Sequence, residues 1–358
     1  MASILCLIDS LASGGAERQM SYLCRGLAKR GYDVTLMVFY PQYRFYEDLM
    51  KGFGVNIIYN EKGKNPIRRI CEIMHAVREY KPAAVIAYKD GVTMAACIAR
   101  VLGYFKLIVS ERNTTQDLTR YERLKFFLYR FADVIVPNSF SQGRFISKHY
   151  PRLADKIHVV TNMLDVVHFA PEKSRSEASV VNIVTTARIS PQKNVLNYIK
   201  ALKILKDRGC RFVCNWYGHH DAGYTERAEA LVNELELDEL IFFHQPEKDV
   251  LKVYNSGDLF CLPSIYEGFP NALCEAMACG LPVACGNVCD NPNIVEEKVN
   301  GALFNPYKPM EIAERLSELV DMNSAERRDM GKRNRAKMAE MCAEDAFIKK
   351  YVELINKG

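Results

Sequence analysis

The sequence lacks four features that would each indicate a particular class of protein. No apolar run reaches the roughly 18 residues that a membrane-spanning helix needs. The dinucleotide-binding pattern G-x-G-x-x-G is absent, which disfavours a dehydrogenase. The 12 cysteines form no C-x2-C pair, so they predict buried, reduced thiols rather than a zinc site. An Asp-x-Asp pattern is also absent.

Length and composition predict a two-domain globular protein. A chain of 358 residues is too long for one average core, so two domains of about 150–180 residues are expected. Its 49% hydrophobic and 25% charged residues are ordinary values for a soluble protein. A net charge of +5 does not call for nucleic acid but suits an anionic ligand or membrane surface. The apolar run at 4–8 is too short for a signal peptide, so a cytoplasmic location is expected.

Strand and helix patterns alternate along both halves of the chain. In the first half, strands are predicted at 4–8, 34–40, 84–87, 107–110 and 133–137, with helices at 16–29, 66–80 and 92–102. A polar stretch at 171–179 predicts a linker, after which the pattern restarts with strands at 181–187, 211–216, 240–244 and 258–262. Such alternation predicts parallel sheets and an α/β fold, with domains at 1–170 and 171–344.

The stretch 264–282 carries the most specific pattern, Ser-Ile-Tyr-Glu-Gly-Phe-Pro-Asn-Ala-Leu-Cys-Glu-Ala-Met-Ala-Cys-Gly-Leu-Pro. A buried strand precedes it, and a helix is predicted over 271–279, ended by Gly280 and Pro282. Glu267 therefore lies in the loop at the strand's carboxyl end, and Glu275 lies on the helix. Ligands bind at that edge of an open α/β sheet, and the first amides of a helix attract anions. A site that offers helix amides to a phosphate and carboxylates to hydroxyl groups suits a phosphorylated sugar.

Two further loops follow predicted strands and carry glycine or cationic residues. Ser13-Gly14-Gly15-Ala16-Glu17 follows the first strand, where glycines let a ligand approach the backbone. By itself this loop is equally consistent with a plain tight turn. Arg188 and Lys193 follow the first strand of the second half, where two cations are well placed to hold phosphate. A solvated basic loop is the simpler alternative for that pair.

Together these stretches resemble the Glu-x7-Glu, Arg-x-x-x-x-Lys and Gly-Gly-Ala-Glu elements of the retaining glycosyltransferases of family 4. The resemblance implies the GT-B fold, in which two Rossmann-like domains face each other across a cleft. In that fold the C-terminal helix returns to the N-terminal domain, and residues 345–358 contain the candidate here. It also implies an N-terminal domain on the acceptor side and a C-terminal domain that binds the nucleotide sugar.

The resemblance assigns roles to individual residues. Arg188 and Lys193 would clamp the donor diphosphate, Glu267 would hold the sugar hydroxyls, and Glu275 would accept from the ribose. The further donor-binding residues would be Gly15, Gly268, Phe269, Pro270, Asn271, Ala272, Leu273 and His244. Residues of the acceptor side or the cleft would be Gly14, Glu17, Arg112 and Asn113. The sequence departs from the family at Arg112, near the place of a histidine that contacts the donor sugar, and at Gln245-Pro246, where glycine is common.

The implied activity is transfer of a hexose or N-acetylhexosamine from a nucleotide diphosphate, expected to be UDP, with retention and front-face attack. The acceptor is expected to be a glycan, lipid-linked, in surface polysaccharide or lipopolysaccharide synthesis. No cofactor or metal is expected, because Arg188 and Lys193 would neutralise the diphosphate. A sugar-nucleotide epimerase and a non-catalytic sugar-nucleotide sensor of the same fold are the alternatives.

Residues 118–132 predict a helix with a possible role at a membrane. On a helical wheel Tyr121, Leu124, Leu128 and Phe131 share the side expected to pack inward. Phe126 and Tyr129 would then be exposed beside cations, an arrangement that suits an anionic lipid surface. An ordinary helix with solvated charges fits the pattern equally well. Peripheral attachment to the inner face of the cytoplasmic membrane is the resulting hypothesis.

Overall fold

The computed structural model of the protein describes residues 2–61, 65–172 and 180–357. The chain forms two compact units, one of residues 1–163 with 344–358 and one of residues 164–343. Each unit contains a six-stranded sheet in which all paired strands are parallel. Most of the predicted linker, residues 173–179, lies outside the described residues. The predicted α/β fold class is confirmed.

The first unit has the strand order β3-β2-β1-β4-β5-β6. Its strands are β1 (Ser3–Ile8), β2 (Asp33–Val38), β3 (Asn56–Tyr59), β4 (Ala84–Tyr88), β5 (Leu107–Glu111) and β6 (Val134–Pro137). Its first five helices are α1 (Gly15–Lys29), α2 (Pro66–Tyr80), α3 (Asp90–Leu102), α4 (Arg120–Leu128) and α5 (Phe140–His149). Apolar clusters cover both faces of the sheet, as the continuous apolar runs in its strands require.

The second unit has the strand order β12-β11-β10-β7-β8-β9. Its strands are β7 (Val181–Thr186), β8 (Phe212–Tyr217), β9 (Ile241–His244), β10 (Leu259–Leu262), β11 (Val283–Gly286) and β12 (Gly301–Phe304). Its helices are α6 (Val195–Asp207), α7 (Tyr224–Glu234), α8 (Val250–Ser256), α9 (Asn271–Ala278), α10 (Asn291–Ile294), α11 (Pro309–Val320) and α12 (Ser324–Met341). Two apolar clusters again enclose the sheet, and one of them contains Trp216.

The last helix, α13 (Glu344–Asn356), belongs to the first unit. It packs on α1 and adds Phe347, Ile348 and Tyr351 to the core of that unit. The Tyr351 hydroxyl lies 2.7 Å from that of Tyr88 in β4, and Glu344 pairs with Arg25 at 3.0 Å. The helix is fixed to the unit by burial of these apolar side chains, and the Tyr351 hydroxyl and the Glu344 carboxylate both have polar partners.

The predicted orientation of the segment 118–132 is wrong for four of its six assigned residues, although Leu128 and Phe131 do pack, partly buried, against the core. Phe126 and the following Tyr129 are buried, whereas Tyr121 and Leu124 are 48% and 51% exposed. The inward face also contains Lys125, which is fully buried. A hydropathy wheel places lysine outside, but a lysine whose charge is balanced by carboxylates can be buried. The wheel could not show those carboxylates, because two of them come from other elements.

Strand β3 was not predicted. Its four residues, Asn56–Tyr59, are exposed or only partly buried because β3 is an edge strand. A short, half-exposed strand gives only a weak apolar pattern. Strands β11 and β12, each also only four residues long, were not predicted either.

Candidate donor and acceptor sites

The predicted donor residues gather where the strand order of the second sheet reverses. Strands β7 and β10 are neighbours there, and the loops that follow them run over 187–194 and 263–270. The chain leaves these two strands in opposite directions along the sheet, which opens a crevice at their carboxyl ends. The predicted site residues of both loops therefore meet at the topological switch point.

Lys193 and Glu267 form an ion pair at this point. The Lys193 ammonium lies 2.5 Å from Glu267 Oε1, and the Glu267 residue is only 7% exposed. The Glu267 amide donates to Cys289 Sγ at 3.4 Å. The Glu267 charge also acts on the buried thiol of Cys285, whose pKa is raised first by burial and then by that carboxylate. Glu267 is therefore held in place by both its side chain and its backbone.

The two loops are also joined through their backbones. The Ile265 amide donates to Gln192 O at 2.9 Å, and the Gln192 side chain donates to Tyr266 O at 3.0 Å. Asn194 has the left-handed φ of 59°, and its buried amide donates to Pro263 O at 3.1 Å. Asparagine tolerates this conformation better than most residues. These contacts fix the position of Lys193 relative to Glu267.

Arg188 lies in the same loop but makes a different contact. Its side chain is 63% exposed and lies 3.9 Å from the carboxylate of Asp221. The structure thus brings Lys193 to Glu267 and leaves Arg188 extended toward solvent. An exposed ion pair of this length stabilises the protein very little, so the guanidinium can turn toward an anion at small cost.

Helix α9 begins directly after the Glu267 loop. Phe269 is buried in the core, Gly268 precedes it, and Pro270 is the N-cap residue. The Asn271 amide donates to Phe269 O at 3.0 Å, and no side chain of the described residues caps the helix. The amides of Ala272 and Leu273 therefore lie at an N-terminus without a side-chain cap, which favours an anion.

Glu275 lies one turn further along α9 and is buried. Its Oε2 accepts a hydrogen bond from the Tyr254 hydroxyl at 2.8 Å, and that hydroxyl lies 2.9 Å from Thr186 Oγ1 at the end of β7. Burial, followed by the Glu275 charge, raises the pKa of Tyr254 well above its usual value, so Tyr254 remains a donor. The sequence did not indicate Tyr254 or Thr186, because neither belongs to a recognisable motif.

His244 ends β9 and stacks on a tyrosine. Its ring lies 4.4 Å from that of Tyr217, nearly parallel, and its Nε2 lies 2.8 Å from Asn215 Oδ1. Burial lowers the pKa of His244, which favours the neutral ring. The His244 carbonyl already accepts from the Gly218 amide at 3.1 Å. A flat aromatic pair therefore stands at the carboxyl ends of β8 and β9.

The first unit places its predicted residues at the equivalent point of its own sheet. Gly15 begins α1 after the β1 loop, and Glu17 pairs with Lys89, after β4, at 3.0 Å. The Glu17 carboxylate lies so close to Gly14 that a Cβ there would be 2.2 Å from Oε2. Gly14 is needed for this close approach rather than for its backbone angles.

Arg112 and Asn113 follow β5. Arg112 donates to Asn162 Oδ1 at 2.8 Å and its guanidinium lies 4.6 Å from the centre of the Tyr88 ring. Asn113 is exposed, and its side chain donates to Asp90 Oδ2 at 3.3 Å. The structure thus separates the two residues, since Arg112 packs against the protein and Asn113 faces solvent.

The described residues contain neither a metal-type side-chain cluster nor a helix that could span a membrane. No group of three or more His, Cys, Asp or Glu side chains there is arranged to hold a metal ion. None of the helices within the described ranges is both long and apolar enough to cross a membrane.

Two family descriptions together match nearly the whole chain. "Glycosyltransferase Family 4" matches residues 13–168, and "Glycosyl transferases group 1" matches residues 169–337. The chain belongs to glycosyltransferase family 4. This confirms the resemblance seen in the Glu-x7-Glu, Arg-x-x-x-x-Lys and Gly-Gly-Ala-Glu elements.

Several relatives of this family 4 chain are glycosyltransferases of other organisms. An uncharacterised glycosyltransferase of Methanocaldococcus jannaschii is 24% identical over 74% of this chain and 73% of its own. The putative colanic acid biosynthesis glycosyltransferase WcaL of Escherichia coli is 28% identical over 59% of this chain and 53% of its own. The putative glycosyltransferase EpsF of Bacillus subtilis is 25% identical over 84% of this chain and 81% of its own.

Solved structures show the same fold. A glycosyltransferase of Rickettsia africae superposes with a TM-score of 0.85 at 17% identity, over 99% of this chain and 98% of its own. The Anabaena protein HepE, in complex with UDP and glucose, superposes with a TM-score of 0.84 at 18% identity over 100% of both chains. These likenesses confirm the predicted GT-B fold.

Proposed function

We propose that the protein transfers a hexose or N-acetylhexosamine from a UDP-sugar to a glycan acceptor, with retention of the anomeric configuration. The observation that carries the proposal is the Lys193–Glu267 pair at the switch point of the second sheet, beside Arg188 and the start of α9. Support for a UDP donor comes from HepE, a protein of the same fold solved with UDP and glucose. Support for a glycan acceptor comes from relatives named for colanic acid synthesis.

In this proposal the second unit binds the donor. An ammonium group has three N–H donors, so Lys193 can keep its ion pair with Glu267 and also donate to the diphosphate. Arg188 would turn from Asp221 to the same phosphates, and the α9 amides would add two more donors. Glu267 would accept hydrogen bonds from sugar hydroxyls, and Glu275 from the ribose. The Tyr217–His244 pair stands where the base would lie.

The proposed chemical step uses the leaving group as the base. The bond between the sugar C1 and the phosphate oxygen breaks, and the acceptor oxygen bonds to C1 on the same face. The acceptor proton passes to the departing phosphate oxygen, so no protein nucleophile is needed. Arg188 and Lys193 stabilise the negative charge that develops on that phosphate, which is the largest contribution expected of the protein. With two cations in this position, the proposal requires no metal or other cofactor.

Three alanine variants test the donor site. We expect Arg188→Ala, Lys193→Ala and Glu267→Ala each to lower turnover of a UDP-sugar by about 10² or more, because each removes charge or positioning from the reacting centre. Lys203→Ala is the matched control, since Lys203 lies on α6 of the same unit and pairs with Asp207. Turnover near the wild-type rate in all three variants would contradict the assignment.

Thermal shift with UDP, GDP and ADP tests the donor base. Trp216, the single tryptophan of the chain, is buried and donates to Ala187 O at 2.6 Å, directly before Arg188. Its fluorescence therefore reports on the donor loop. UDP at a hundred times its dissociation constant should stabilise the protein by about 2.7 kcal/mol. A larger shift with GDP or ADP would overturn the choice of UDP.

Turnover also separates the transferase from a sensor or an epimerase of the same fold. A sensor would bind UDP without releasing it from a UDP-sugar, and an epimerase would convert the sugar without needing an acceptor. Release of UDP that increases when an acceptor is added is expected only of the transferase.

A lipid-linked acceptor and a peripheral membrane location form part of the proposal. Tyr121, Leu124 and Phe127 of α4 are about half exposed on the first unit. Phe127 also lines a cavity of about 490 Å³ with Arg130 and Arg152, and none of the described residues that line it is acidic. Apolar side chains beside cations suit an anionic bilayer.

Vesicle co-sedimentation tests this location. We expect binding to anionic but not neutral vesicles at low salt, and weaker binding for Phe127→Ser. Tyr104→Ser is the control, because Tyr104 is 96% exposed on the same unit but lies outside the lining of that cavity. Absence of binding to anionic vesicles at low salt would count against the membrane location.

A further inference from the structure

The switch point of the first sheet repeats the arrangement of the second. Strands β1 and β4 are neighbours where the strand order reverses, and Glu17 and Lys89 follow them. Their ion pair of 3.0 Å spans that point as Lys193–Glu267 spans the other. Since ligands bind at such points in open α/β sheets, this edge of the first unit is a candidate ligand-binding edge.

The backbone at this edge is unusual. Lys89 has φ 75° and ψ 137°, a conformation that residues other than glycine rarely adopt. It turns the chain sharply between β4 and α3, so that Lys89 meets Glu17 while the next residue, Asp90, begins the helix. Such conformations persist where the surrounding contacts impose them, and they cluster at functional sites.

The residue after Lys89, Asp90, contacts a buried lysine. The Lys125 ammonium lies 2.7 Å from Glu122 Oε2, 3.0 Å from Glu111 Oε2 and 3.6 Å from Asp90 Oδ2. Lys125 and Glu111 are fully buried, whereas the Asp90 side chain is 19% exposed. A single cation therefore holds three carboxylates, and Asp90 is the one that follows β4 at the ligand edge.

Asp90 and Asn113 together can recognise a pair of hydroxyl groups. Among the described residues, the contacts of the Asp90 carboxylate with Lys125 and Asn113 both use Oδ2, which leaves Oδ1 for a ligand. Asn113 is exposed, and its amide retains a carbonyl oxygen and a second N–H. A carboxylate that accepts, next to an amide that accepts and donates, matches two neighbouring hydroxyls of a sugar.

We propose that Asp90 and Asn113 bind hydroxyl groups of the acceptor sugar, and that Lys125 is the positioning residue that holds Asp90. The proposal rests on the proposed function for the identity of this sugar as the acceptor. It gives Asn113, already expected on the acceptor side, a specific contact, and it extends the function to Asp90 and Lys125, which no motif indicated.

Saturation-transfer NMR tests the site without a known acceptor. The probes are the methyl α-glycosides of glucose, galactose, mannose and N-acetylglucosamine, added to the full-length protein with UDP. We expect a signal from at least one probe, and Asp90→Asn and Asn113→Ala should each weaken its binding about tenfold, as for a lost hydrogen bond to a charged group. Lys156→Met is the control, because Lys156 lies in the same unit and donates to the backbone carbonyls of Arg130 and Ala132 rather than to a carboxylate of the Lys125 cluster.

A double variant separates positioning from general stability. Lys125→Met should weaken probe binding in the wild-type background but not further in the Asp90→Asn background, whereas a merely structural loss would add in both. If Lys125→Met does not fold, the Asp90 and Asn113 variants still decide the proposal. Unchanged binding in those two variants, or no signal from any probe with wild-type protein, would overturn it.

Lys193→Ala, which removes a proposed ligand of the UDP diphosphate, distinguishes this inference from the proposed function. Loss of UDP binding in that variant with probe binding retained is expected if the two sites are separate. Wild-type protein that binds a probe but releases no UDP from a UDP-sugar would refute the transferase and leave the hydroxyl site standing.

Discussion

Three carboxylates contact the single ammonium of Lys125. One of them, Glu111, makes the stability of the first unit depend on pH. This carboxyl ends β5 and is fully buried, and burial raises its pKa to about 7 against the opposing effect of Lys125. Asp90 raises it further, and the hydroxyl of Tyr129 donates to its Oε2 at 3.1 Å. For Lys125 itself, burial lowers the pKa, but Glu111 and Asp90 outweigh that effect and keep the ammonium charged.

The sign and size of the effect follow from that shift. The ordinary pKa of 4.5 becomes about 7 in the folded protein, so the folded chain binds the proton more tightly than the unfolded chain. The corresponding stabilisation is present below pH 4.5 and is lost as the pH rises through 7. At ~1.4 kcal/mol per pKa unit it amounts to about 3 kcal/mol. Glu111→Gln cannot ionise and should remove this dependence.

Urea unfolding at pH 5 and pH 8 measures the effect. Far-UV circular dichroism follows the whole chain, and the fluorescence of Trp216 follows the second unit. We expect the unfolding free energy of Glu111→Gln, relative to wild type, to rise by up to about 3 kcal/mol from pH 5 to pH 8. Asp117→Asn, which alters an exposed carboxylate of the same unit, should show no such change. A difference between wild type and Glu111→Gln that stays constant, or falls with pH, would refute the reasoning.

Three other substitutions have defined outcomes. Lys125→Met should lower the unfolding free energy by about 3–5 kcal/mol in urea titrations, because it leaves buried carboxylates without their cation; a loss under 1 kcal/mol would contradict this. Gly14→Ala should push away the Glu17 carboxylate, which a Cβ would approach to 2.2 Å, and weaken glycoside binding in the NMR assay. Tyr254→Phe removes a hydrogen bond to Glu275 and should weaken UDP binding about tenfold by calorimetry, whereas unchanged affinity would exclude Glu275 from the ribose site.

Local sequence patterns predicted the structure correctly where a residue's contacts are made by its neighbours in the chain. The apolar runs of β1 and β10 predicted those strands closely, and the predicted helix at 66–80 coincides with α2. In the structure Asn65 caps that helix and Pro66 begins it, and both effects are local. The motif residues Lys193 and Glu267 were likewise found in loops at strand ends. Helix α4 was oriented wrongly because its inward face depends on carboxylates from β5 and α3.

The fold class, the family and the loops that contain the proposed donor residues could be predicted from the sequence, because strand periodicity and motif spacing are local properties of the chain. Which charges meet depends on the tertiary structure. Lys193 and Glu267 are 74 positions apart, and Lys125 reaches Glu111 and Asp90 on two other elements. A buried charge is tolerated only where opposite charges surround it, and the packing of distant segments decides where that occurs.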